Sequence, residues 1–195
     1  MGWLDRLDRR TTGIVLGLLA FALYLAAGEP QALRDSHYPF AQAFLAGRLY
    51  VTADYPWLEL VPRAEGGWYT PFPPLVSLVM LPFAALGIRI DTDPVSAAFG
   101  ALSVTLIWVL LGRWQVAIRA KLGLTVAWAV GSELFWVAGT GGQHLAPQAA
   151  AACLLVAALI LGSDRRLPWL AGLLVGLAVL ARVPVGLALP AILWL

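Results

Sequence analysis

Residues 71–88, PFPPLVSLVMLPFAALGI, form the apolar run whose reading decides how the whole chain is threaded. A helix needs about 20 mostly apolar residues to cross the hydrocarbon core of a bilayer, so this run is a candidate by length. If it crosses, Arg113, Arg119 and Lys121 fall outside while Asp91 and Asp93 fall inside, which inverts the usual cytoplasmic excess of Lys and Arg. If it lies along the outer surface, every basic cluster returns to the inner side. That side then holds Arg6, Arg9, Arg10, Arg113, Arg119, Lys121, Arg165 and Arg166, and the outer side keeps most of the carboxylates. Pro71, Pro73 and Pro74 suit the first turn of a helix entered from an extended loop, and Gly87 suits its end. The sequence therefore predicts a surface helix over 73–87.

Outward from this run, apolar segments over 11–28, 95–112, 122–139, 145–162, 167–181 and 183–195 read as spans. The predicted fold is all-α: a polytopic transmembrane helix bundle, N-terminus cytoplasmic, with an outer loop over 29–93. A cleavable leader fits the first of these segments too, but a retained helix is simpler because embedded segments follow it. Gly13 with Gly17, and Gly172 with Gly176, place two glycines on one helix face, which predicts close helix packing within the chain.

Composition agrees with this class. Of 195 residues, 61% are hydrophobic and 12% charged, with mean hydropathy +0.81; a soluble domain carries about 25% charge. An ordinary soluble enzyme and a disordered chain are both excluded. One cysteine, Cys153, permits neither an intrachain disulfide nor a cysteine metal cluster, and two histidines far apart make a zinc site improbable. A net charge of +2 gives no basic patch for nucleic acid.

Polar chemistry concentrates in the outer loop. The cluster Arg34-Asp35-Ser36-His37-Tyr38 follows the first span, and Phe40, Ala41, Phe44 and Leu45 then form one apolar face. This predicts an interfacial helix over 36–47, with Asp35 or Ser36 as its N-cap. Asp35 has two readings: it caps the helix and neutralises Arg34, or it is a general base whose pKa rises by partial desolvation at the water–lipid boundary. Further along, Trp57, Trp68 and Tyr69, with Glu59 among them, make a loop dense in aromatics, which anchor at interfaces or stack on sugars. Glu133 is the one carboxylate inside a predicted span and is expected to face the bundle interior or a wet cavity. His144 falls in a short outer turn. Arg182 falls at the outer interface, where it either snorkels to headgroups or grips a lipid phosphate.

These residues carry a resemblance. Asp35 followed by Ala43-Phe44-Leu45-Ala46-Gly47-Arg48-Leu49-Tyr50, then Gly67-Trp68-Tyr69-Thr70-Pro71-Phe72-Pro73-Pro74-Leu75 and Leu81-Pro82-Phe83, resembles the N-terminal part of bacterial GT-C glycosyltransferases of the family 39 and dolichyl-phosphate-mannose mannosyltransferase-like group. The stretch Ala171-Gly172-Leu173-Leu174-Val175-Gly176-Leu177-Ala178-Val179-Leu180-Ala181-Arg182 is similar to the middle spans of that group. The resemblance implies an enzyme of the bacterial inner or plasma membrane. It would pass a sugar from a polyprenyl-phosphate carrier to a lipid, glycan or protein acceptor on the outer side, by inverting displacement. It implies Asp35 as the catalytic base, with His37, Tyr38, Glu59, Trp68, Tyr69, Glu133, His144 and Arg182 as substrate-binding candidates. Some members of the group bind a divalent metal ion at the phosphate, so a divalent metal ion is a candidate cofactor. Two departures stand out. The first loop lacks a paired acid beside Asp35, leaving Glu59 or Asp54 as a remote second acid, and the group usually has about twice as many spans, so the chain is expected to be an N-terminal fragment. The alternatives are a transporter fragment, which would use Glu133 and Arg182 as pathway charges and show broken helices or repeats not seen in the sequence, and a non-enzymatic polytopic membrane protein.

Overall fold

The computed structural model describes residues 9–28, 35–163, 167–188 and 190. Regular structure is almost entirely helical. α1 (Arg9–Ala27) leads to a short α2 (His37–Leu45), and a 3-10 turn at Pro56–Leu58 precedes a small antiparallel hairpin of β1 (Val61–Pro62) and β2 (Trp68–Tyr69). α3 (Leu75–Ala85), α4 (Thr92–Arg113), α5 (Ile118–Val130), α6 (Leu134–Thr140), α7 (Gly142–Gly162) and α8 (Pro168–Ala181) follow.

α4 and α7 are long and apolar enough to cross a membrane. α5 and α6 pass the same test only as a pair, bent by 47° at the break between them. The sequence predicted one straight span over 122–139; Gly131, Ser132 and Glu133 interrupt it. The break is tolerated because the freed carbonyls at the end of α5 find donors. The Gly131 N–H donates to Ala127 O at 2.8 Å, the Ser132 hydroxyl to Trp128 O at 2.6 Å, and the Tyr24 hydroxyl of α1 to Ala129 O at 2.9 Å. Freed backbone groups at such depth are expensive unless satisfied in this way. The predicted span over 183–195 is a 3-10 turn over Val183–Ala188 in its first part; apart from residue 190, its remainder lies outside the described residues.

Side-chain contacts fix the directions of the helices. Gly13 of α1 lies against Trp108 of α4, while Gly100 of α4 lies against Tyr24, so α1 and α4 run antiparallel. The loop joining them must begin and end at the same end of the bundle. α3, with 11 residues, is about 16 Å long, half of what a crossing requires. It packs mainly on α2. α6 and α8 finish at this end as well, and α4 and α7 start there.

The two glycine faces differ. A side chain at Gly17 would collide with Thr105, so α1 and α4 approach as closely as the sequence suggested, but among the described residues nothing lies against Gly172 and Gly176 on α8. The close packing predicted for that second face is not seen among the described residues. Ile14, Val15, Leu18 and Leu19 are likewise exposed on α1, an apolar outer surface that a water-soluble bundle would bury.

At the opposite end, Lys121 is buried with its Nζ 3.8 Å from the centre of the Trp108 ring, and Arg113 donates to Ile160 O near the C-terminus of α7 at 2.7 Å. Both cations stand at the end of the bundle away from α2 and α3.

Candidate functional site

Three helices begin together at the end covered by α2 and α3. Gly142 N–H, opening α7, donates to the buried Thr92 hydroxyl, opening α4, at 2.8 Å. Gly141, with φ +60°, brings its backbone so close to Asp93 that a side chain there would have no room. α2 is fastened to the same place by His37. Its Nε2–H donates to Gln143 O at 3.3 Å, and its Nδ1 accepts from the Ser77 hydroxyl at 3.1 Å. One imidazole thereby joins α2, α3 and α7.

Asp35 sits at the N-terminal edge of α2, and its Oδ1 accepts the His37 N–H at 2.7 Å. Ser36 occupies the N-cap position but its hydroxyl makes no capping bond, so the carboxylate does that work. Asp35 is half-buried. Desolvation pushes its pKa up from 3.8 to about 6, the charges of Asp91 and Asp93 push the same way, and the N–H groups of His37 and Tyr38 oppose. Capping and basicity are therefore two properties of one carboxylate. Asp91 and Asp93, at the start of α4, are the acids whose charges act on it. The sequence had offered Glu59 or Asp54 for that part, and both lie exposed in the loop beyond α2.

His37 does not present itself to a substrate. It is 2% exposed, both ring nitrogens are engaged within the fold, and burial lowers its pKa to about 4, keeping it neutral. Its assignment as a substrate-binding residue is corrected to a structural pin. Tyr38 is buried in the cluster that includes Met80, Val95 and Ala146. His144, exposed in the first turn of α7, meets the Phe72 ring edge-on at 4.6 Å and lies 3.4 Å from the Gln143 amide. It belongs to this end of the bundle.

The other candidates are not gathered here. Trp68 pairs with Val51 and packs on Phe40, which makes it part of the hairpin's own small core. Tyr69 beside it is largely exposed. Glu59 is exposed in a left-handed conformation with φ +50°. Glu133 is exposed at the break between α5 and α6, not turned into the bundle interior, because the break ends α5 before the interior is reached. Arg182 is exposed just past α8, whose last residue Ala181 packs near Leu75 of α3, so it stands at the correct end without a contact to Asp35.

Two further features complete the site. Ser36 Oγ and Gln143 Oε1 are buried without a hydrogen-bond partner, a costly state for a polar atom. Between α3 and α4 runs an apolar groove of about 350 Å³, lined by Val79, Phe83, Ile90, Pro94, Phe99 and Leu102. Ile90 and Pro94 flank the segment that carries Asp91 and Asp93, so the groove opens beside the acids. Among the described residues no three His, Cys, Asp or Glu side chains come close enough together to hold a metal ion. Sequence reasoning missed Asp91, Asp93 and Gln143 as site residues. An Asp-Thr-Asp triplet immediately before a long apolar run was the available signal for the first two. No family model, curated protein or solved structure matches the chain.

Proposed function

We propose that the chain is the N-terminal, site-bearing part of a multi-span membrane glycosyltransferase that takes sugar from a polyprenyl-phosphate donor. The observation that carries this reading is one juxtaposition. A half-buried carboxylate with pKa about 6 stands at the end of a helix bundle, within reach of the charges of Asp91 and Asp93, and the residues flanking those acids, Ile90 and Pro94, line an apolar groove suited to a prenyl chain. A general base works best with its pKa near the operating pH, and Asp35 meets that condition while remaining mostly ionised at neutral pH.

In this mechanism the donor's lipid tail lies in the groove between α3 and α4, with its phosphate-linked sugar at the α2 edge. Asp35 accepts the proton of the acceptor hydroxyl as the oxygen attacks the anomeric carbon. The bond to the lipid phosphate breaks on the opposite face, inverting the centre. Asp91 and Asp93 help burial hold the basicity of Asp35 up. Arg182 is a cation at this end that can receive the departing phosphate.

The bend between α5 and α6 favours a second reading, since transporters use broken helices to expose carbonyls to ions. Here the carbonyls of Ala127, Trp128 and Ala129 already accept protein donors, which argues against an ion site at the break.

The test uses the full-length protein in proteoliposomes with radiolabelled polyprenyl-phosphate sugars and a membrane-extract acceptor. Asp35→Asn should abolish transfer while leaving the protein folded, and Glu133→Gln should leave transfer unchanged. Normal turnover by Asp35→Asn, or loss of substrate movement in Glu133→Gln alone, overturns the reading.

A further inference from the structure

The outer face of α2 forms one wall of a second cavity that the transferase reading does not use. It holds about 120 Å³ and is lined by Pro39, Gln42, Arg48, Val51, Thr52 and Tyr55. Its second wall, the loop after α2, is held at two points. Arg48 N–H donates back to Ala43 O at 2.9 Å, with Gly47 at φ +70° making the turn, and Val51 exchanges both backbone hydrogen bonds with Trp68. The cleft is therefore fixed by backbone bonding on both sides.

Arg48 is the one charged residue among those that line it. Among the described residues no carboxylate lies within ion-pair distance of the guanidinium, whose nearest specific contact is the Tyr50 ring at 6.0 Å. Glu65 is taken by Arg63, and Asp54, adjacent to the lining residues, makes no ion pair. A guanidinium with an amide and a hydroxyl beside it is a donor set for a planar or tetrahedral oxyanion, which Arg engages bidentately. The cleft also lies on the helix that carries Asp35. Pro39 and Gln42 follow Asp35 by about one and two turns, which puts the cleft about 10 Å from the carboxylate along the helix axis.

We infer that this cleft is an anion site, taking the phosphate or carboxylate group of an acceptor whose hydroxyl is presented to Asp35. The anion binding stands by itself; naming its carrier as the acceptor rests on the transferase reading. The anion could be borne by a soluble sugar phosphate or by a lipid headgroup, and both present the same chemistry to Arg48.

The experiment places the full chain in phosphatidylcholine nanodiscs and follows tryptophan fluorescence and thermal stability during titration with glucose 6-phosphate, inorganic phosphate and glucose. Both phosphates should bind, with glucose at least about tenfold weaker, and Arg48→Gln should weaken phosphate binding by about tenfold or more, the weight of a charge-assisted pair. Thr52→Val should cause a smaller loss. If Arg48→Gln does not fold, Arg48→Lys keeps a cation but loses the fork, and binding should fall between the two. Doping the discs with phosphatidylglycerol separates the sources: displacement of glucose 6-phosphate identifies a lipid headgroup, and unchanged binding a soluble anion. Equal phosphate binding by the wild type and both Arg48 variants, or no preference for glucose 6-phosphate over glucose, overturns the proposal. Asp35→Asn should bind phosphate as the wild type does, so a transferase reading lost at Asp35 leaves the anion site standing.

Discussion

Replacing Asp35 with Asn should stabilise the fold at neutral pH even as it removes the proposed base. Burial raises the Asp35 pKa from 3.8 to about 6, so the folded protein holds this proton more tightly than the unfolded chain does. The resulting penalty is absent below 3.8, grows between 3.8 and about 6, and is fully present above. At about 1.4 kcal/mol per pH unit, the full penalty is about 3 kcal/mol. Solvent reaching a half-buried carboxylate, and the weaker cap that Asn offers the His37 N–H, reduce the net gain to about 1–2 kcal/mol. For a chain of this size that is a rise in melting temperature of about 3–6 °C. The wild-type profile alone hides the effect, because His37 titrates with the opposite sign. Its pKa is lowered from 6.5 to about 4, so its contribution is lost as pH falls through that window. Subtracting wild type from Asp35→Asn cancels His37, which both proteins carry. Thermal unfolding in one detergent should show the variant ahead at neutral pH and level with the wild type at the acid end of the window. A variant less stable than the wild type at neutral pH, or an offset that ignores pH, refutes the burial account of this carboxylate.

Three further outcomes follow from the packing. Tyr24→Phe removes the hydroxyl that satisfies Ala129 O at the break and should cost about 1 kcal/mol, with faster amide exchange over residues 131–134 as the local readout. Gly17→Leu should destabilise by about 1–3 kcal/mol or more through collision with Thr105, whereas Gly172→Leu, which meets open space, should be neutral in the same unfolding assay. A cysteine at Leu49, which is 75% exposed, and one at the exposed Arg119 lie at opposite ends of the bundle, so in sealed vesicles a membrane-impermeant thiol reagent should reach only one of them from each side. Labelling of both from one side contradicts a membrane-spanning bundle.

The long helices α1, α4 and α7 were legible because each is a long apolar run. α3, within residues 71–88, is shorter than a straight crossing needs. What stayed hidden depends on partners remote in sequence. Nothing local to Trp128-Ala129-Val130 announces that Tyr24, 105 residues away, will satisfy a carbonyl there. His37 looked like a surface ligand because Ser77 and Gln143, 40 and 106 residues distant, are invisible to a local reading. Asp91 and Asp93 were weighed only as charges that fix orientation, and their effect on Asp35 appears once α2 and α4 begin side by side. The glycine pair on α8 has the same spacing as the pair on α1, yet among the described residues only the latter meets a neighbouring helix. Spacing shows that a close approach is possible, and the opposing surface decides whether it happens.

The break between α5 and α6 and the site around Asp35 are two parts of one construction. α6 is about 10 Å long, so a 47° bend displaces its far end by about 7 Å from where a straight α5 would carry it. That displaced end is where Gly139 lies against Gly28, and where Gly141 closes on Asp93 and starts α7. α7 in turn supplies the Gln143 carbonyl that holds His37, and the His37 N–H orients Asp35. The chain of contacts therefore runs from a helix break satisfied by Tyr24 to the carboxylate whose burial sets its pKa. A site assembled from helix ends is held by the packing of the whole bundle, which is how a carboxylate can be kept beside two others without the fold relaxing to separate them.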